Sequence, residues 1–203
     1  MNKHKVFNPN IDILDLMENK PDLVFAQCIK DLSGKTFEVA AKKYDLISFT
    51  NHFLQSELYD PFLFENPGVF SQEPTYILHI FESDYKEEEK RIKRKTNETN
   101  NQENQENQEK AYFTGYICAY MILDCLIDGK TLQKNIDVSK IIEGYDILHT
   151  QSLEYATEFI IKNYSYNEEG ENKLLKAYYK NNPYINRSKE EKDNSDHSIK
   201  KDK

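Results

Sequence analysis

The chain contains little glycine, proline or cysteine: 6 glycines, 6 prolines and 3 cysteines among 203 residues. So little glycine and proline excludes a collagen-like chain or a glycine- and proline-rich low-complexity chain. Three cysteines cannot form a disulfide framework, and we expect free thiols in a reducing cytoplasm. The length is sufficient for one domain, or two small ones, with a hydrophobic core.

Long hydrophobic runs are also missing. The longest, over 111–127, is interrupted by Asp124 and falls short of the roughly 20 apolar residues that a membrane span needs. No apolar stretch follows the first six residues, so we expect no secretion signal. These features predict a cytoplasmic protein without a membrane segment, in which 111–127 is a buried core helix.

The charge is acidic and unevenly distributed. Against 27 Lys and Arg stand 35 Asp and Glu, a formal charge of −8, which disfavours binding to nucleic acid or to anionic membranes. Residues 86–110 are almost entirely polar, and 183–203 have the same character. We predict a disordered linker over 86–110 and a disordered tail over 183–203. Two apolar-rich units remain, 6–85 and 111–182.

The apolar residues recur at helical spacing nearly throughout, and no segment shows sustained period-two alternation. The predicted helix starts are Pro21, Ser33, Asp45, Pro74 and Asp137. Helix ends are predicted at the Asp128-Gly129 pair and at Gly144. We therefore expect an all-α protein of two small, mutually packed helical units.

The two units share short sequence elements. Gly34-Lys35-Thr36 in the first unit matches Gly129-Lys130-Thr131 in the second. Downstream, at nearly the same spacing, Gln55–Tyr59 resembles Gln151–Tyr155. This pattern allows an internal duplication, in which two similar three- or four-helix units pack together.

No pattern points to a cofactor. The Gly-Lys-Thr elements lack the glycine that a phosphate-binding loop needs five residues earlier, where Ile29 and Asp124 stand instead. The five histidines lie singly along the chain, at positions 4, 52, 79, 149 and 197, whereas metal sites need clustered ligands. We expect neither a nucleotide nor a metal ion to be bound as a cofactor.

The most distinctive segment is Tyr145-Asp146-Ile147-Leu148-His149-Thr150-Gln151. It resembles a family of uncharacterised bacterial helical domains with the signature Tyr-Asp-x-Leu-His-Thr-Gln. An apolar helix with Cys118 or Cys125 and the element Asp128-Gly129-Lys130 lie where that family has its corresponding features, so the resemblance covers about 111–163. Such domains are often encoded near ADP-ribosyltransferase-like toxin proteins, which implies an antitoxin or partner role.

Three interpretations of this segment remain open. It can be a buried corner between helices, with Tyr145 and Leu148 in the core, His149 bonded to a backbone carbonyl and Thr150 capping the next helix. It can form a ligand or catalytic pocket from Tyr145, Asp146 and His149. It can also be a partner-binding surface. The candidate binding residues of the segment are Tyr145, Asp146, His149, Thr150 and Gln151.

These observations support three functional hypotheses. The first is a non-enzymatic protein-interaction module, such as an antitoxin-like or accessory partner of a toxin, because no catalytic signature is evident. The second is a small enzyme or ligand-binding protein with a pocket at Tyr145, Asp146 and His149. The third is a helical DNA-binding regulator, which the acidic charge disfavours. The sequence leaves the oligomeric state and the partner open.

Overall fold

The computed structural model describes residues 23–59, 73–92, 101–182 and 185. Over these residues the protein is all-α, as the periodicity predicts, with ten helices and one isolated bridge between Ile136 and Ser165. The helices are α1 (Leu23–Ala40), α2 (Leu46–Gln55), α3 (Pro74–Asp84), α4 (Lys86–Arg91), α5 (Asn101–Cys125), α6 (Gly129–Asn135), α7 (Val138–Glu143), α8 (Tyr145–Leu148), α9 (Leu153–Tyr164) and α10 (Glu168–Asn181). The predicted helix start at Pro21 and most of the predicted tail lie outside the described residues.

Helix α1 packs along α5, and two glycines make the approach close. A Cβ atom on Gly34 would lie 2.9 Å from the ring of Tyr112, and one on Gly115 would lie 2.7 Å from the ring of Phe37. The Ser33 hydroxyl donates to the Gly115 carbonyl at 2.8 Å. Because glycine has no side chain, the two backbones can meet at this crossing.

The predicted helix start at Ser33 is wrong. Helix α1 runs from Leu23 to Ala40 without a break at Gly34. The hydroxyl of Ser33 reaches across to α5 instead of capping a helix. A glycine inside a helix costs about 1 kcal/mol relative to alanine, and the close contact with α5 offsets that cost.

Most of the other predicted helix starts and ends are confirmed. The side chains of Asp45 and Asp137 accept hydrogen bonds from backbone amides in the first turns of α2 and α7. The helix predicted to end at Asp128-Gly129 ends at Cys125, and Asp128 caps the start of α6. Pro74 is the first residue of α3, and Gly144 follows the last residue of α7. Local capping chemistry therefore determines these boundaries.

An aromatic cluster fills the space between α1, α2 and α3. The ring of Phe53 lies 4.9 Å from Phe49, and 5.1 Å from both Tyr59 and Phe81. Phe37 on α1 meets Phe49 edge-on at 5.2 Å. All five side chains are fully buried, so these rings form the core on this side of the protein.

Residues of both predicted units contribute to one hydrophobic core. Helix α1 of the first unit packs on α5 of the second, and buried residues from both belong to a single cluster. The repeated elements do not occupy equivalent places. Gly34 lies in the middle of α1 whereas Gly129 begins α6; Gln55 ends α2 whereas Gln151 precedes α9. Their likeness is therefore one of sequence and does not extend to matching helices.

Both ends of the predicted linker 86–110 differ from the expected disorder. Residues 86–91 form α4, and residues 101–110 are the first turns of α5. Within these turns Lys110 pairs with Glu106 at 2.6 Å, and Gln105 donates to Glu109 at 3.2 Å. Extending an existing helix costs far less than nucleating one, so the buried part of α5 supports its polar beginning. Residues 93–100 lie outside the described part of the chain.

The apolar half of α5 is the core helix that the run 111–127 predicts. Ile117, Cys118 and Ile122 are fully buried, and Cys125 is 1% exposed. Burial raises the pKa of the Cys118 thiol to about 12. Cys28, in contrast, is exposed on α1.

Within the described residues, no single helix is both long and apolar enough to cross a membrane. The pair Gln105–Cys125 and Gly129–Asn135 meets the length and composition requirements only jointly, and it is bent by 106°.

Candidate functional site

The distinctive segment forms helix α8 and the turn that leads into α9. Gly144 ends α7 immediately before α8, and a Cβ there would lie 2.5 Å from the hydroxyl of Tyr164 on α9. Leu148 anchors the turn, since only 1% of it is exposed. Because of this close approach and this anchor, α8 is held against the α9 side of the core.

Most of the segment faces solvent. Asp146, Ile147, His149, Thr150 and Gln151 are exposed, and together they form what we call the motif surface. The predicted buried corner is therefore wrong for these residues, although Leu148 is buried and Tyr145 is partly buried. A single helical turn can direct only one or two side chains into the core, because residues three or four apart share a face.

His149 is fixed by its own turn. Its Nδ1 atom lies 2.6 Å from the backbone carbonyl oxygen of Tyr145, and its ring stacks on that of Tyr145 at 4.3 Å. The predicted bond to a backbone carbonyl is thus present. Among the described residues, no hydrogen bond joins His149 to Asp146, the third residue of the predicted pocket.

Thr150 and Gln151 stabilise the turn but do not cap α9. The Thr150 hydroxyl donates to the Ile147 carbonyl at 2.8 Å, and the Gln151 amide donates to the Thr150 hydroxyl at 3.1 Å. The N-cap of α9 is Ser152, whose hydroxyl accepts from the backbone amide of Tyr155. The predicted cap at Thr150 is therefore displaced by two residues.

A groove of about 470 Å³ lies beside the motif surface, between α1, the beginning of α5 and α8. Its aromatic side is continuous, since Phe113 meets Tyr145 edge-on at 5.6 Å and Tyr145 stacks on His149. The lining residues are Glu38, Gln105, Gln108, Glu109, Tyr112, Phe113, Tyr145 and His149. We call this the aromatic groove.

The aromatic groove is electrostatically negative. Glu38 and Glu109 are the charged residues of its described lining, which includes no lysine or arginine. The nearby Lys110 pairs with Glu106 at 2.6 Å, and the hydrogen bond that Lys110 donates to Glu106 raises the pKa of Lys110. The pKa of Tyr145 is raised by partial burial and then by the charge of Glu109. Both shifts are consistent with an excess of carboxylates here.

The structure brings together only part of the predicted site. Tyr145 and His149 line the aromatic groove, while Asp146, Thr150 and Gln151 belong to the motif surface outside it. The opposite wall, from α1 and α5, was not anticipated. A signal for it exists, because positions 105, 108, 109 and 112 have the i, i+3, i+4, i+7 spacing of one helix face.

This arrangement is suited to binding. Aromatic faces, amide groups and carboxylates offer stacking, hydrogen bonds and ion pairs. Among the described residues, no group of three or more His, Cys, Asp or Glu side chains is placed to hold a metal ion. The site's recognisable chemistry is therefore that of its rings and carboxylates.

No match was found when the chain was compared with models of known protein families, with curated proteins and with solved structures. The fold and the site define the class: an all-α chain with an aromatic, acidic groove beside an exposed helical turn. The resemblance to domains with the Tyr-Asp-x-Leu-His-Thr-Gln signature stays a prediction.

Proposed function

We propose that this chain is a non-enzymatic protein-interaction module that binds its partner through the motif surface. The observation that carries this proposal is the position of the two most exposed large hydrophobic residues in the described part of the chain. Ile147 is 64% exposed and Tyr155 is 57% exposed, and they flank the same turn between α8 and α9. Single exposed apolar residues are ordinary, but two on one turn favour an interaction site.

The turn is already organised for binding. Leu148 is buried beneath it, and side-chain bonds from His149 and Thr150 to backbone carbonyls hold its shape. A preformed surface loses little conformational entropy when a partner binds, so more of the contact energy contributes to affinity. Rigid support of this kind is what an interface centred on Ile147 requires.

An antitoxin-like or accessory role for a toxin partner is the finer part of this proposal. It depends on the sequence resemblance of residues 111–163, since the geometry of the motif surface is compatible with many protein partners. A cytoplasmic location belongs to the same proposal. Buried thiols such as Cys118 need no oxidising compartment to be stable.

The test is co-purification under gentle conditions from the native host, with two matched variants. We expect Ile147→Glu to abolish retention of a specific partner, because a charge replaces the apolar centre of the surface. Tyr76→Glu should retain it, since Tyr76 is 47% exposed on α3, away from the turn. Both variants should unfold at the wild-type temperature. A protein that retains no partner, or retains it equally after Ile147→Glu, would contradict the proposal.

The aromatic groove favours a second candidate, a ligand-binding protein or small enzyme. Its volume of about 470 Å³ falls in the range of roughly 300–1,000 Å³ typical of small-molecule sites. Tyr145 and His149 line it, although Asp146 does not. Thermal-shift screening of metabolites would favour this candidate if a stabilising compound lost its effect in His149→Ala.

The third hypothesis, DNA binding, receives no support at this site. Phosphate affinity comes mainly from lysine and arginine. The described lining of the aromatic groove instead presents Glu38 and Glu109, which would repel a phosphate backbone.

A further inference from the structure

We propose that the aromatic groove receives the side chain of an arginine or lysine presented by a protein partner. This inference rests on the proposed interaction function and specifies the chemistry of the partner. It commits to a basic peptide segment as the occupant. It depends on two properties that coincide in the groove, a ring-lined wall and two carboxylates that form no ion pair with a described residue.

The rings provide the first property. Tyr112, Phe113, Tyr145 and His149 all line the groove, and the last three form a connected row with centroid separations of 5.6 and 4.3 Å. The faces of neutral aromatic rings carry negative electrostatic potential and attract cations within about 6 Å. The same fold already contains such a contact, because the Lys30 ammonium lies 4.7 Å from the ring centre of Tyr120.

The carboxylates provide the second property. Glu38 extends from α1 and Glu109 from α5, so negative charge enters the groove from two helices. Among the described residues, no ion pair neutralises either carboxylate. Lys110, the neighbouring cation, is engaged by Glu106 at 2.6 Å. A cation entering the groove therefore meets two carboxylates that form no ion pair with any described residue.

The position of the groove points to a side chain on a protein. The groove adjoins the motif surface, and His149 belongs to both. A partner that covers Ile147 can therefore extend a neighbouring side chain across His149 into the groove. Arginine fits best, because its flat guanidinium stacks on rings and donates to carboxylates at the same time.

The test is a titration of the full chain, followed by amide NMR spectra, with the capped tripeptide Gly-Arg-Gly and its citrulline analogue. Citrulline has nearly the same shape but no charge. We expect saturable shifts at Tyr112, Phe113, Tyr145 and His149 with the arginine peptide, and binding at least about tenfold weaker with citrulline. Equal binding of the two peptides, or shifts confined to other regions, would overturn the proposal.

Charge variants make the test specific to the groove. Glu38→Gln and Glu109→Gln should each weaken the arginine peptide about two- to fivefold. Glu57→Gln is the matched control, because Glu57 is exposed beyond the end of α2 and does not line the groove. The amide at 109 can still accept the hydrogen bond from Gln105, so α5 should keep its structure. An equal loss in Glu57→Gln would indicate general screening instead of a site, and would refute the inference.

Two additional measurements distinguish a partner's basic side chain from other cations that could occupy the groove. If spermidine binds more tightly than the arginine peptide, the occupant is a free polyamine. If a chain ending at residue 185 binds the peptide several-fold more tightly, the occupant is this chain's own basic end, which includes Lys200, Lys201 and Lys203. Either result overturns the assignment to a partner.

Failure of this inference can be told apart from failure of the proposed function. If partner retention depends on Ile147 while the peptide does not bind, the interaction function stands and the groove is not its basic-residue site. If the peptide binds but no partner is retained, the groove is a cation site without the interaction function, and the assignment to a protein partner is refuted.

Discussion

Replacing Gly115 with alanine should destabilise the protein, although alanine is the better helix former. The new Cβ would lie 2.7 Å both from the ring of Phe37 and from the backbone carbonyl oxygen of Ser33. The carbonyl belongs to α1, and Phe37 is fully buried among other rings. Neither group can move aside alone, so the two helices must separate.

The expected magnitude follows from three terms. Overpacking of a close contact costs about 1–3 kcal/mol, and separating the helices weakens the hydrogen bond of Ser33 to Gly115, 2.8 Å long, by about 1 kcal/mol. The helix preference of alanine returns about 1 kcal/mol. The net loss is about 1–3 kcal/mol, which lowers the Tm of a chain of this size by about 2–12 °C.

Thermal and urea unfolding, followed by far-ultraviolet circular dichroism, measure the change. Gly170→Ala is the matched control, because the atoms nearest to its new Cβ belong to the Asn135 side chain, which can rotate. We expect a smaller loss there. An unchanged or higher Tm in Gly115→Ala would show that helix propensity outweighs packing, and an equal fall in both variants would show that the crossing is not special.

Two further predictions concern hydrogen bonds. Tyr44→Phe should cost about 1.5–3 kcal/mol, because the hydroxyl lies 2.9 Å from a carboxylate oxygen of both Glu82 and Glu89 and shares its single proton between them. Burial, and then the hydrogen bond to Glu82, raise the pKa of Tyr44 above its ordinary value of 10.0. The free energy that the Tyr44 hydroxyl contributes to folding is therefore complete below about pH 10 and is lost as the pH rises further. The urea midpoint of Tyr44→Phe should therefore fall less than the midpoint of the wild type between about pH 9 and about pH 11. Ser152→Ala should cost about 1 kcal/mol in the same unfolding assay by removing the cap of α9. Thr150→Ala should cost less, because it removes only the exposed hydrogen bond to the Ile147 carbonyl in the turn; a larger loss in Thr150→Ala than in Ser152→Ala would show that Thr150 is the cap.

The all-α class and many helix ends could be predicted from the sequence because their causes are local. Asp45 and Asp137 cap helices with side chains that reach only two or three residues along the chain. Pro74 begins α3 because its ring has the backbone angle of a first helical residue. Such features depend on immediate neighbours, so the sequence contains all the information that they need.

The continuity of α1 depends on a partner that is distant in sequence. Ser33 and Gly34 have the composition of a helix boundary, and a local reading predicts a cap. Their role is set by Tyr112 and Gly115 on α5, which allow only a glycine and a small hydroxyl at the crossing. Contacts of this range are not visible in local patterns.

The site was predictable on one side only. The motif identifies Tyr145 and His149, but the opposite wall comes from α1 and from a polar tract that composition alone assigns to a linker. Residues such as Gln105 and Glu109 are helical because α5 continues outward from its buried half. The polar tract acquires its structure from the apolar helix that follows it.

The hydrogen bond between Ser33 and Gly115 also bears on how the chain length can vary. It joins residues 82 positions apart. The entropy lost on closing a loop grows only with the logarithm of its length, so ten added residues between α1 and α5 would raise that cost by about 0.1 kcal/mol. Insertions in the segment 93–100, between α4 and α5 in the sequence, are therefore nearly neutral for the crossing. Related chains should differ more in the length of that segment than in the small residues at the crossing, which are Ser33, Gly34 and Gly115.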